Sequence, residues 1–156
     1  MSDFHLLLEE QIPQLMRYAS ALTRDPEQAS DLVEDTVIEA LAHQRDCRGD
    51  IRVWLLTILH DLRGNPFRQM TAVVTVGEPT ETLTLSQLDR ALGQLPEEQR
   101  AAILLVGLEG MSYEKTAAIL RIPVSTVRSR LSRGREGLRR AMGVADTASR
   151  RTRAAA

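Results

Sequence analysis

Residues 112–131 read SYEKTAAILRIPVSTVRSRL, and the spacing inside this stretch decides the fold. Ser112 suits a helix N-cap, because its hydroxyl can accept from the free N–H groups of the first turn. A short helix then runs through Leu120, a tight turn follows at Arg121-Ile122-Pro123, and a long helix spans about Val124 to Met142. A helix-turn-helix needs a small residue where its helices touch, and Ala117 meets that need. Four residues further on it needs a tight turn, usually glycine, since the backbone there adopts positive φ without steric cost only when Cβ is absent. Arg121 occupies that place instead. Val127 supplies the apolar anchor on the second helix, and Ile122 is placed to plug the turn from beneath.

Charge sharpens this pattern. Residues 121–140 hold seven arginines and a single acid, Glu136, whereas residues 1–61 hold 12 acids against 5 arginines. A solvated helix face mixes Glu with Lys. Arginine alone suits bidentate contacts with phosphate and guanine. In a helix-turn-helix the N-terminal residues of the second helix read the major groove. The expected DNA-contacting set is therefore Ser125, Thr126, Arg128, Ser129, Arg130, Ser132, Arg133 and Arg135. Within it the hydroxyls allow close approach and Arg128 and Arg133 suit base edges. Arg130 and Arg135, with Arg139 and Arg140, suit phosphates. The competing reading is an ordinary helical hairpin with a basic surface, and the concentration of arginines weighs against it.

The rest of the composition narrows the function classes. Apolar residues make up 43% of 156 residues and aromatics only 3%, so the core must be built from Leu, Ile, Val, Ala and Met, a palette that favours helix. No apolar run approaches the roughly 18 residues of a membrane span, and Met1 to His5 show no secretory pattern. Cys47 stands alone, which excludes an internal disulfide and a cysteine-based zinc site. His5, His43 and His60 are isolated, with no metalloprotease, Walker or nucleophile-elbow spacing. The expectation is a cytoplasmic protein that is not an enzyme, with no cofactor, no metal and no small-molecule substrate.

Helical periodicity organises the chain into an all-α fold of two small domains. Leu8, Ile12, Leu15, Met16, Ala19 and Leu22 form one stripe. After Asp25-Pro26, a cap and first helical position, Ala29, Leu32, Val33, Thr36, Val37, Ala40 and Leu41 form a second. Ile51 to about Leu62 is a third helix that buries some of Trp54, Leu55, Ile58 and Leu59. Residues 68–83 lack helical period and read as a connector. Beyond it Leu85, Leu88, Ala91, Leu92 and Leu95, then Ala101, Leu104, Leu105 and Leu108, line two further helices before the helix-turn-helix. The expected boundaries are 1–67, a linker 68–83, a helix-turn-helix domain 84–143 and a disordered basic tail 144–156.

The run from Leu95-Pro96-Glu97-Glu98-Gln99-Arg100 through Gly107-Leu108-Glu109-Gly110-Met111-Ser112-Tyr113-Glu114, then Ile122 to Arg135, resembles sigma region 4. Leu15 to Asp25, Ala29 to Thr36 and Ile51 to Asp61 are similar to sigma region 2. Together they resemble extracytoplasmic-function RNA polymerase sigma factors of the alphaproteobacterial general-stress type. The resemblance implies transcription initiation at promoter DNA, with region 4 on the −35 element. It also implies partners: core RNA polymerase, through its β′ coiled coil and β flap, and an anti-sigma factor. Asp31, Leu32, Val33, Glu34 and Thr36 align with the polymerase-docking segment, and Trp54, Asp61 and Arg63 with the segment that captures a −10 base.

The chain departs from the family at Glu34 (usually Gln), Asp35 (usually Glu) and Asp61 (commonly Asn), and lacks the aromatics often found near Val37 and Leu41. Stacking platforms for unpaired bases are thereby reduced. As the only Trp on an apolar stripe, Trp54 is expected in the core. Two rival readings are a stand-alone helix-turn-helix regulator and a sigma-like decoy for an anti-sigma factor.

Overall fold

The computed structural model describes residues 3–64 and 85–143, and it is all helical there. The connector and tail expected at 68–83 and 144–156 lie outside the described residues. Helix α1 spans Asp3–Thr23, α2 Pro26–Ala42 and α3 Ile51–Arg63, with a 3-10 turn at Gln44–Asp46. Asp25 caps α2 in extended backbone, accepting from the Glu27 N–H at 2.9 Å, and Pro26 takes the first helical position. Asp50 caps α3 in the same way through the Arg52 N–H. Tyr18, Leu22, Leu32, Leu55 and Leu59 are completely or almost completely buried where the three helices meet. The α2 stripe runs inward as its period requires, except that Leu41 is exposed.

In the second half, α4 spans Leu85–Gln94 and α5 Glu97–Ile103, which passes directly into a π-helical turn at Leu104–Leu108. Helix α6 spans Tyr113–Leu120 and α7 Val124–Ala141. Leu88 and Leu108, expected in the core, are exposed. The π turn explains Leu108: widening the turn to an i→i−5 bond, Glu109 N–H to the Leu104 carbonyl, rotates later side chains off the α-helical stripe. Leu108 turns outward and Glu109 turns inward.

The two halves share one core. Ala101, Leu104, Leu105, Met111 and Ile119 of the second half pack with the buried side chains of α1 to α3. Helix α5 and the π turn lie on α1, and α6 lies along α3. Charged side chains bolt the seam. Arg24 grips Asp89 with both terminal nitrogens, and Arg63 grips Glu97 at 2.7 and 3.2 Å. Arg52 donates to Glu109 at 2.9 Å, with Arg17 at 3.6 Å from the same carboxylate. Arg100 is buried and donates to the carbonyls of Leu22, Leu92 and Leu95, closing the C-terminal ends of α1 and α4 with one guanidinium. The Leu22 carbonyl is orphaned because Pro26 has no N–H to offer it, so one cation serves both halves at once.

Candidate nucleic-acid interface

The helix-turn-helix takes the geometry its spacing requires. Ser112 is extended and accepts from the Lys115 N–H at 3.1 Å, which starts α6. Arg121 ends it in the left-handed conformation, φ 56° and ψ 44°. The Ile122 N–H then reaches back to the Ala117 carbonyl at 3.1 Å, the bond pattern of a left-handed helix cap. Pro123 resets the chain to extended backbone and α7 begins. Ala102, Ala117, Val127 and Leu131 form the small core that fixes the crossing, with Ile122 packed against it. Gly134 lets α7 sit tightly on α5, since a Cβ there would come within 2.5 Å of Ile103 Cδ1. The reading helix is thus held on a rigid base.

Its outer face is open. Ser125, Arg128, Ser129, Ser132, Arg133, Arg135 and Arg139 are exposed, while Thr126 is half-buried. Arg130 is also half-buried and lies 3.7 Å from Glu98, which ties it to α5. Arg128, Arg133, Arg135 and Arg139 have no carboxylate within pairing distance among the described residues. Arg128, Arg135 and Arg139, at i, i+7 and i+11, form one row of cations along one flank of α7, and Arg133 projects from the other flank, both clear of the buried Val127, Leu131 and Gly134. Such a row offers charge to a duplex groove and its phosphates.

A sequence-family profile described as Sigma-70, region 4 matches residues 85–138, and one described as the Sigma2 domain of PhyR matches residues 8–60. The ECF RNA polymerase sigma factor EcfG of Rhodopseudomonas palustris is 33% identical over 81% of this chain and 78% of its own length. The chain belongs to the ECF RNA polymerase sigma factors. SigM of Mycobacterium tuberculosis is 32% identical, with 92% of this chain and 79% of the relative covered. Among solved structures, the sigma factor RpoE of Bartonella quintana in complex with the anti-sigma factor NepR superposes with a TM-score of 0.78 at 31% identity, over 92% of this chain and 99% of that one. The PhyRSL–NepR complex from Sphingomonas shares the fold, with a TM-score of 0.73 at 22% identity over 91% and 90% of the two chains.

In this sigma factor the segment aligned with polymerase docking divides by burial. Leu32, Val33 and Thr36 are buried in the first-half core, and Thr36 donates to the Leu32 carbonyl. They cannot touch a partner in this packing, which corrects the expectation of direct contact for those three. Asp31 and Glu34 face outward, on one stripe with Glu27, Ile38 and Leu41, and Ile38 is 64% exposed.

The residues aligned with −10 recognition are all engaged. Trp54 is half-buried and meets Phe4 edge to face at 6.0 Å, a packing role in line with its apolar stripe. Arg63 is held by Glu97 and by the Gln28 side chain. Asp61 pairs with Arg121, both nitrogen–oxygen distances being 2.8 Å.

Sequence reasoning passed over Arg100, Glu109 and Lys115. Arg100 stands one turn before Leu104 on the apolar stripe of α5, a cation where a core residue belongs, and that was a usable signal. Glu109 gave none, because its inward turn follows from the π-helical bond. Beneath the seam, the Tyr18 hydroxyl and His60 Nε2 share a hydrogen bond of 2.6 Å. Burial pushes the His60 pKa down to about 4, while the neighbouring Glu97 and Asp61 pull the other way.

Proposed function

We propose that this sigma factor directs core RNA polymerase to promoters, with α7 in the −35 major groove and the first half gripping the polymerase. One observation carries the reading: Arg128, Arg133, Arg135 and Arg139 are all exposed on a helix whose buried face is locked into a helix-turn-helix. Arg128, Ser129, Ser132 and Arg133 read bases, and Ser125, Thr126, Arg130 and Arg135 border the groove or meet phosphates. The outward stripe of α2, with Asp31, Glu34 and Ile38, docks on the β′ coiled coil, and the second half meets the β flap. Trp54, Asp61 and Arg63 serve the −10 element only once the halves separate, because Asp61 and Arg63 are otherwise spent on Arg121 and Glu97.

The protein acts without bond chemistry of its own, in the cytoplasm where polymerase is found. No helix among the described residues is long and apolar enough to cross a membrane. An anti-sigma factor is a partner of the Bartonella relative, and the seam between the halves is the surface on which one would act here. The profile match of residues 8–60 to a Sigma2 domain of PhyR supports a second reading, a decoy for an anti-sigma factor. In-vitro transcription with purified core polymerase separates them. The sigma reading expects promoter-dependent transcripts that depend on Arg128, whereas a decoy or a stand-alone regulator yields none.

A further inference from the structure

Two of the residues that depart from an expected pattern, Arg121 in the turn of the helix-turn-helix and Asp61 at the end of α3, meet in the structure. Arg121 stands where a helix-turn-helix favours glycine, and accepts the left-handed backbone that goes with it. Asp61 stands where the family commonly has Asn, and binds that guanidinium through both oxygens. A second pair lies at the other end of the same two helices: Lys115 Nζ is 3.8 Å from the Asp50 carboxylate. Helices α3 and α6 therefore run side by side in the same direction, with a carboxylate at each end of α3 facing a cation at each end of α6.

Those two cations occupy particular places. In a helix-turn-helix the first helix crosses the DNA backbone while the second enters the groove. Lys115 lies in the first turn of that crossing helix and Arg121 immediately precedes the reading helix, about 9 Å apart along the helix axis. Both belong where phosphates would pass. Neither forms part of the exposed row on α7, and both are matched to carboxylates of the acidic half.

We propose that Asp50 and Asp61 stand in for DNA phosphates, so that the first half competes with duplex DNA for Lys115 and Arg121. The inference rests on the −35 reading of α7 and adds two backbone contacts to it, together with the device that withholds them. Competition is incomplete by construction, because Arg128, Arg133 and Arg135 stay open in the closed arrangement. The closed chain retains weak duplex binding and gains the two further contacts only when α3 leaves α6.

Backbone contacts are independent of sequence, so a mixed-sequence duplex of about 30 base pairs serves as the probe. Anisotropy titrations of the full chain across a salt series compare wild type with Asp50→Asn/Asp61→Asn. Asn keeps the α3 cap that Asp50 supplies, so the variant should fold. It is expected to bind about three- to tenfold tighter at low salt, with a log–log salt slope steeper by about 1 to 2. Adding Lys115→Gln/Arg121→Gln should erase that gain. Glu9→Gln/Glu10→Gln removes the same charge from exposed positions on α1 and should give no steepening. Equal binding by wild type and Asp50→Asn/Asp61→Asn, or an equal gain in the α1 control, overturns the inference and leaves the −35 reading standing. Absence of duplex binding by every variant overturns both.

Discussion

Arg121 and Asp61, sixty residues apart in the chain, form a two-pronged ion pair at 2.8 Å that joins the turn of the helix-turn-helix to the last turn of α3. The pair is exposed, and the bidentate contact with Asp61 raises the Arg121 pKa further. A left-handed backbone carrying an arginine is a local conflict, and its reward is geometric: the residue at the tip of the turn reaches the other half. Arg121→Gly removes the conflict and the reach together. The helix-turn-helix should melt no earlier than in wild type, while small-angle scattering should register a larger radius of gyration. A variant as compact as wild type would show that the pair does not help to hold the halves closed.

Arg128→Ala and Arg139→Ala should differ in kind. Both side chains are exposed on α7, but Arg128 lies in its second turn and Arg139 near its C-terminus. Truncating Arg128 should cost about 1–3 kcal/mol at the preferred site and loosen base preference there. Truncating Arg139 should weaken all duplexes alike and flatten the salt slope. Competition titrations with point-changed duplexes read the difference, and equal effects would count against base reading by the start of α7.

Burial separates two kinds of residue on α2. Leu32→Ala empties a packed site and should cost about 2–5 kcal/mol in denaturant unfolding. Glu34→Lys should leave stability within about 0.5 kcal/mol, as surface substitutions do. It should nonetheless weaken binding to core polymerase at least about tenfold, because reversing a charge in an interface sets like charges together. Native-state affinity capture on purified core enzyme measures the second effect, and normal binding by Glu34→Lys would remove α2 from the docking surface.

Arg100→Leu tests the cation under the seam. Its guanidinium serves the carbonyls of Leu22, Leu92 and Leu95, and its removal takes away the donor to the Leu22 and Leu95 carbonyls, while the Leu92 carbonyl keeps the Leu95 N–H. The expected loss is about 2–4 kcal/mol, read by chemical denaturation. Arg100→Lys, with one point charge in place of a planar fork, should recover only part of it.

His60 makes stability depend on pH. Its folded pKa, about 4, lies below the ordinary value of 6.5, so the unfolded chain takes up the proton more readily. The neutral buried ring contributes full stability above about pH 6.5, and that contribution drains away as pH falls towards 4, by on the order of 2–3 kcal/mol. Urea midpoints measured between pH 7 and pH 4 should fall accordingly, and His60→Phe should flatten the curve over that interval. A profile unchanged by the substitution would assign the acid sensitivity to other groups.

Much of this was legible beforehand because it is local. The caps at Asp25 and Ser112 follow from short side chains meeting free N–H groups, and the Ala117–Val127 contact follows from helical period. Leu41, Leu88 and Leu108 mark where local reading failed. Each fits an apolar stripe and each is exposed. Leu108 is turned out by a π-helical bond that no period announces. Leu41 and Leu88 lie near helix ends, Leu41 in the last turn of α2 and Leu88 in the first turn of α4, and periodicity cannot say how far a neighbouring helix extends.

The chain's own residues were enough to specify seven helices among the described residues, a helix-turn-helix and a cationic reading face, because propensity, capping and charge act over a few positions. Tertiary packing alone decided which cations would be free. Arg128 and Arg121 are both arginines near the start of α7, yet one faces solvent with no carboxylate partner among the described residues and the other is claimed by Asp61. An ion pair between residues distant in sequence depends on how two helical bodies meet, and that is set by the shared core of Leu104, Leu105, Met111 and Ile119 rather than by any local pattern.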